Sequence, residues 1–145
     1  MSGALDNGMS NAALTLVETP TTTKRARNPE QGMNWCRLST RLAIYHRDGF
    51  CCVYCGAQGE QRGTGLTLDH VLACEMGGTN DPANLVTCCG SCNSAKQALS
   101  MRGWLGRLRK RGADATKIGA RVRRQTKRPL DRAEGRRLAA LRQGR

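Results

Sequence analysis

Apolar residues recur along the first part of this chain at spacings of three or four, the period of an α-helix with one buried face. The spacing predicts a helix over residues 35–47, with apolar positions Trp35, Leu38, Leu42 and Tyr45. Gly49 follows and is placed to end it. Because Trp35 and Tyr45 share the apolar face, we interpret them as core residues rather than as platforms for stacked bases.

The period changes to two after a loop rich in Gly and Gln. Leu66-Thr67-Leu68 alternates as a strand that ends at Asp69-His70-Val71, and residues 84–87 can pair with it as a second strand. Turn residues fill positions 77–82, so a wide loop is expected between the strands. A helix containing residues 93–99 is predicted to follow.

Three further helices are predicted over the last part of the chain, each from a residue that can cap a helix N-terminus. Ser100 and Asp114 are the first two caps, and each precedes an apolar stripe at helical spacing. Asp131, with Glu134 three residues later, predicts a capping box for the last helix.

The net charge of +13 sits entirely in this helical part. Residues 1–100 hold eight Lys/Arg and eight Asp/Glu, whereas residues 101–145 hold sixteen against three. Neutralising phosphates with such cations releases counterions, so a nucleic-acid partner is expected, although a merely solubilising extension is the alternative. The candidate contacts are Arg107, Arg109, Lys110, Arg111, Arg121, Arg123, Arg124, Lys127 and Arg128.

Eight cysteines in a chain with few aromatic residues suggest that something other than a large apolar core stabilises the fold. The first twenty residues lack the pattern of an export signal, so we expect a cytoplasmic protein in which paired cysteines bind metal. No apolar run approaches the roughly 18 residues that span a bilayer, and no membrane association is expected.

Two Cys-x-x-Cys pairs predict a tetrahedral zinc site formed by Cys52, Cys55, Cys89 and Cys92. Cys51 and Cys88 could compete for the metal, but their pairs would have three intervening residues. We therefore interpret those two, with Cys36 and Cys74, as ordinary thiols. Four protein ligands leave no open position, which indicates a structural rather than a catalytic zinc.

A second metal site is predicted where the first strand ends. Asp69 and His70 are adjacent, so their side chains leave opposite faces of the strand. The carboxylate suits Mg²⁺ or Mn²⁺, and a neutral imidazole suits proton abstraction from water. Asn93 is placed to supply a second oxygen ligand. Arg47 and Lys96 are open to two interpretations, as phosphate contacts or as members of solvated helix faces.

Three short sequences bring these residues together in order: Leu68-Asp69-His70-Val71, Asn84-Leu85-Val86 and Cys92-Asn93-Ser94-Ala95-Lys96. Over residues 34–100 the chain resembles the zinc-stapled HNH endonucleases of phages and bacteria. His70 and Asn84 match the first two letters of the motif. Asn93 stands where a final His is often found, which makes this an H-N-N variant and favours Mg²⁺ or Mn²⁺ over softer ions.

The resemblance implies an α+β fold with a ββα-metal (His-Me finger) core, stapled by the four-cysteine zinc site and followed by a basic helical extension. It implies DNA cleavage to 5′-phosphate and 3′-hydroxyl ends, with His70 as base, Asp69 and Asn93 holding the catalytic metal, and Asn84 fixing the loop and the His70 ring. The expected divisions are a disordered tail over 1–30, a nuclease domain over 31–100 and a DNA-binding extension over 101–145.

Two rival functions stay open at this point. One is a zinc-dependent DNA-binding module without catalysis, and the other is an accessory nuclease of phage DNA packaging that needs a partner. The sequence also leaves open whether one or two strands are cut, and whether the protein acts as a homodimer.

Overall fold

The computed structural model describes residues 35–60 and 65–144. They belong to a compact unit that spans Met33–Arg145. Its elements are α1 (Leu38–Arg47), β1 (Leu66–His70), two 3₁₀ turns (Cys74–Met76 and Pro82–Asn84), β2 (Leu85–Cys89), α2 (Gly90–Lys96), α3 (Met101–Lys110), α4 (Ala115–Lys127) and α5 (Arg132–Gln143). The tail predicted over residues 1–30 lies outside the described residues.

A two-stranded antiparallel hairpin followed by a short helix forms the centre of the unit. β1 pairs with β2 in a register that runs from Leu66 opposite Cys89 to His70 opposite Leu85. α2 begins directly after β2 and packs on β1. The predicted ββα core, with its α+β class and helical C-terminal region, is therefore confirmed.

Both faces of the hairpin pack against apolar core residues. Val86 and Cys88 belong to a core cluster with residues 52–55, which we call the first cysteine knuckle, and with α3 and α4. Leu68 and Leu85 belong to a second cluster with α1 and α5. Since successive side chains of a strand point to opposite faces, Asp69 and His70 are directed toward different cores.

The helix α1 is held against the hairpin by a buried ion pair at its C-terminal end. Arg47 donates to the Asp48 carboxylate at 2.7 Å and to the Leu85 carbonyl at 2.6 Å. Asp48 in turn accepts the Thr87 backbone N–H at 2.8 Å. Arg47 thus meets neither a phosphate nor solvent, and both sequence interpretations of it were wrong.

The charged extension is part of the same core. Trp104 and Leu108 of α3 and Ile118 and Val122 of α4 are all buried in the cluster that contains the first cysteine knuckle. α5 packs on α1 instead. The packing of the described residues therefore continues across residue 100, where only the charge changes.

The predicted caps of these helices are present. Ser100, Asp114 and Asp131 each accept a backbone N–H from three residues ahead, at 3.1, 3.0 and 2.9 Å. Only half of the capping box forms, because the Glu134 carboxylate pairs with Arg137 at 2.6 Å. None of the helices in the described part of the chain has the length and hydropathy needed to cross a bilayer.

Two helix boundaries differ from the predicted ones. α1 begins at Leu38 rather than at residue 35, because Arg37 has an extended ψ of 140°. α2 ends at Lys96, before Leu99, because Gln97 adopts a positive φ of 51°. Both differences are set by backbone conformation at a single residue.

Candidate active site and metal centre

Four cysteine sulfurs converge where the first knuckle meets the start of α2. The Sγ atoms of Cys52, Cys55, Cys89 and Cys92 all lie within 4.8 Å of one another. Zinc bound to thiolates at about 2.3 Å in a tetrahedron places its sulfurs roughly 3.8 Å apart. The Cys55 and Cys89 sulfurs are separated by 3.7 Å, so the cluster has the size that zinc requires.

The chemistry of the cluster also fits a cation. Burial, and then the charge of the neighbouring Cys52 sulfur, raise the pKa of Cys92 well above its usual range. Four thiolates this close need positive charge between them. Cys51 and Cys88 lie outside the cluster: Cys51 donates to the Asp48 carbonyl at 3.4 Å, and Cys88 is buried among apolar residues.

Asp69 lies on the inner face of β1 and is 6% exposed. Both of its carboxylate oxygens accept hydrogen bonds. The Tyr54 hydroxyl donates to Oδ2 at 2.5 Å, and the Lys96 ammonium lies 3.1 Å from Oδ2 and 3.3 Å from Oδ1. The carboxylate predicted to bind a divalent cation is therefore already neutralised by a lysine of this chain.

Lys96 is one of the most buried side chains of the described residues, with an exposure of 0%. Besides Asp69, its ammonium donates to the His70 carbonyl at 2.9 Å. Lys96 thus joins α2 to the end of β1 at both candidate site residues. It meets no solvent, and this burial contradicts both interpretations that its sequence position allowed.

His70 is half-buried on the opposite face of β1. Its Nε2 atom lies 2.8 Å from Oδ1 of Asn80, and the ring of Trp35 packs against the imidazole with centroids 5.0 Å apart. Trp35 is thus half-buried, packs against the second core cluster and supports the candidate base.

Asn84 closes the loop between the strands. Its Nδ2 donates to the carbonyls of Leu72 at 3.0 Å and Thr79 at 2.9 Å, while Oδ1 accepts the Leu72 N–H at 2.8 Å. A Cβ at Gly78 would lie 1.7 Å from the Leu72 carbonyl oxygen, so this closure requires glycine. Among the described residues, no hydrogen bond joins Asn84 to the His70 ring.

These features coincide with one known family. Residues 52–99, about one third of the chain, match the family model described as HNH endonuclease. The match assigns an HNH endonuclease domain to this segment of the chain. No similar chain was found among curated proteins or among solved structures. The matched segment contains both cysteine pairs, the hairpin and α2.

Asn93 lies in the middle of α2, three residues before Lys96, on the helix that packs against β1. Asp69 carries a carboxylate and Asn93 an amide oxygen, and both are ligand types that suit a hard divalent ion. The residues of the HNH domain therefore fit such an ion by their chemistry, while Lys96 and Tyr54 already hold the carboxylate.

The nine predicted phosphate contacts divide into two groups. Three donate to backbone carbonyls of the core: Arg107 to Ala95 at 2.6 Å, Arg121 to Val53 at 3.1 Å, and Arg128 to Arg47 at 3.0 Å. Arg107 and Arg128 are nevertheless exposed. The other six are exposed and, among the described residues, donate to no core carbonyl: Arg109, Lys110, Arg111, Arg123, Arg124 and Lys127. The first group anchors the extension to the HNH domain, and the second presents charge to solvent.

Sequence reasoning missed two residues of the site, Tyr54 and Asn80, and gave a third, Lys96, the wrong role. Tyr54 sits inside the first knuckle and carried no signal of its own. Asn80 lies in a run of turn residues that is explained by the loop alone. Lys96 offered one signal, since it follows Asn93 by three residues and so lies one helical turn further along the same helix face.

Proposed function

We propose that this protein is a metal-dependent DNA endonuclease that hydrolyses phosphodiester bonds and leaves 5′-phosphate and 3′-hydroxyl ends. The observation that supports this function lies at the end of β1. There the buried Asp69 carboxylate is adjacent in the chain to the half-buried His70 imidazole, which the Asn80 side chain contacts. The position of that pair within an HNH domain gives the pair its chemical context.

In the proposed reaction, His70 acts as general base. A water O–H bond breaks as its proton moves to the imidazole, and the oxygen forms a bond to phosphorus. The bond from phosphorus to the 3′ oxygen breaks, and that oxygen takes a proton from solvent. A neutral imidazole is suited to this role near neutral pH.

Asp69 and Asn93 would hold Mg²⁺ or Mn²⁺, which would supply positive charge to the scissile phosphate when bound. Lys96 would hold the Asp69 carboxylate in place through their ion pair. Asn84 fixes the loop that crosses beside His70. None of these residues would form a covalent bond to the substrate. Each would instead hold the metal ion, another side chain or the loop in place.

The four cysteines would hold a structural Zn²⁺. Such a site contributes on the order of 10 kcal/mol to folding in small modules. The first knuckle and the start of α2 carry Tyr54 and Asn93, so the zinc would also fix the two elements that flank Asp69.

We propose further that six of the exposed cations of the extension contact the DNA backbone, namely Arg109, Lys110, Arg111, Arg123, Arg124 and Lys127. Truncating the extension is a poor test, because Leu108 and Val122 belong to the core. We would instead change Arg123, Arg124 and Lys127 together to glutamine. Each phosphate contact that is lost lowers the slope of log affinity against log salt by about 0.9.

A control with the same loss of three charges is available in Arg102, Arg132 and Arg136, which are exposed but were not among the predicted contacts. If both triple variants change the slope equally, only net charge matters, and the solubilising interpretation is correct. A drop confined to the first variant supports a defined DNA surface.

The nuclease is tested by conversion of supercoiled plasmid by zinc-loaded protein with Mg²⁺, with Mn²⁺ and with EDTA, beside His70→Ala at matched zinc content. We expect metal-dependent nicking that the variant lacks. Linear product at low conversion would instead indicate a double-strand cut by a homodimer.

One observation favours a DNA-binding module without catalysis, namely that Lys96 and Tyr54 occupy both oxygens of Asp69. DNA binding without cutting, unaffected by His70→Ala, would support that function. Cutting that appears only after a packaging partner is added would identify an accessory nuclease of a phage assembly.

A further inference from the structure

Asn80 makes a contact that the proposed mechanism does not yet use. It lies in the loop between β1 and β2, ten residues after His70, and its Oδ1 atom is 2.8 Å from His70 Nε2. An amide oxygen can only accept a hydrogen bond. The hydrogen on this contact must therefore belong to the imidazole.

We propose that Asn80 is a positioning residue that sets the tautomer and orientation of His70; this rests on the proposed role of His70 as base. With its proton on Nε2 and donated to Asn80, the neutral ring presents its lone pair on Nδ1. Nδ1 is then the atom that takes the proton from water. The Trp35 ring, 5.0 Å away between centroids, restricts rotation of the same imidazole.

The loop places Asn80 through its neighbour. Asn84 donates to the Thr79 carbonyl at 2.9 Å and to the Leu72 carbonyl at 3.0 Å, which ties the two ends of the loop together. Asn80 follows Thr79 directly. Asn84, the middle residue of the H-N-N motif, therefore influences the orientation of His70 through the position of Asn80. Within the described residues, the Asn84 side chain itself hydrogen-bonds only to the loop backbone.

The tautomer is measured by long-range ¹H–¹⁵N correlation of the histidine ring in zinc-loaded protein, at a pH where the imidazole is neutral and without Mg²⁺ or Mn²⁺. His70→Ala assigns the signals, because His46 is the only other histidine. We expect a single tautomer protonated on Nε2 in the wild type. Asn80→Leu, which has a similar shape without an acceptor, should give a mixture, and Asn80→Asp should keep the single tautomer.

Asn80 is exposed, so these variants should fold and bind zinc as the wild type does. Under single-turnover conditions we expect Asn80→Leu to cleave about 10-fold to 100-fold more slowly, with DNA affinity unchanged, since losing a general base altogether costs at least about 100-fold. A wild-type ring protonated on Nδ1 would overturn the proposal, as would an Asn80→Leu variant with unchanged tautomer and rate.

The two proposals fail in different ways. If His70→Ala cleaves as fast as the wild type, His70 is not the base and the proposed function fails. If His70→Ala is inactive while Asn80→Leu matches the wild type in rate and spectrum, only the role of Asn80 is refuted.

Discussion

Replacing Lys96 by methionine should be among the most destabilising single changes in the domain. Methionine keeps the shape of the buried chain but removes an ammonium that lies 3.1 Å from Asp69 and 2.9 Å from the His70 carbonyl. The Asp69 carboxylate, 6% exposed, would keep only the Tyr54 hydroxyl as a partner. Leaving one member of a buried ion pair uncompensated costs about 3–5 kcal/mol.

That loss is large beside the roughly 5–15 kcal/mol that stabilises a domain of this kind. In urea, with a slope of about 2 kcal/mol per molar, it lowers the unfolding midpoint by about 2 M. The measurement is chemical denaturation in a zinc buffer that keeps metal content equal, followed by tryptophan fluorescence. Trp104 is buried against Tyr54 and reports on this region directly.

The control is the double variant with Asp69→Asn. Removing both charges leaves no uncompensated ion, so the double variant should be more stable than the sum of the two single changes predicts. A loss below about 1 kcal/mol for Lys96→Met would refute the reasoning. Additive effects would show that the two side chains do not form the coupled pair described above.

Four further changes test other parts of the molecule. Cys89→Ala should abolish zinc binding and unfold the domain, and a wild-type far-UV spectrum with full zinc content would contradict this. Gly135→Ala should lower the free energy of unfolding, measured by thermal or urea unfolding, by about 1–3 kcal/mol, because its Cβ would lie 2.3 Å from the Ser39 carbonyl oxygen. Gly106→Ala is the matched control, because its Cβ would meet nothing within 4 Å. It should raise the free energy of unfolding by about 0.5–1 kcal/mol. Burial raises the pKa of Tyr45 to about 12, so the native state holds this proton more tightly; its contribution to stability is intact below about pH 10 and is lost as the pH rises toward 12. Tyr45→Phe should lose less stability than wild type between pH 9.5 and about 11.5 in urea titrations, and an equal loss would show that this hydroxyl does not titrate as proposed.

The sequence was sufficient for features that depend on local signals. Hydrophobic period distinguished the hairpin from the helices, and Ser100, Asp114 and Asp131 each cap a helix as predicted. The four cysteines were correctly separated from Cys51 and Cys88 because a two-residue knuckle fixes which sulfurs can meet. These inferences needed no knowledge of tertiary packing.

The sequence failed where tertiary packing decides the environment of a charge. Arg47 and Lys96 are residue types that usually lie on solvated helix faces, because charged residues are rarely buried unless paired. The distance along the chain to the acidic partner differs between the two: Asp48 is adjacent to Arg47, whereas Asp69 lies 27 residues before Lys96. Neither period nor spacing could show that these pairs lie inside the core.

The same limit explains why the extension looked like a separate unit. Its sequence shows a sharp rise in charge at residue 101, but its apolar stripes carry no indication of what they cover. In the structure Trp104 and Ile118 cover the first knuckle and β2, since a domain with so few aromatic residues cannot bury those surfaces alone. α3 and α4 are thus shared between two tasks, with apolar faces that complete the core and charged faces that are open to solvent. Because the tasks use opposite faces of each helix, changing Arg123 or Arg124 should alter DNA affinity without cost to folding, whereas changing Ile118 should do the reverse.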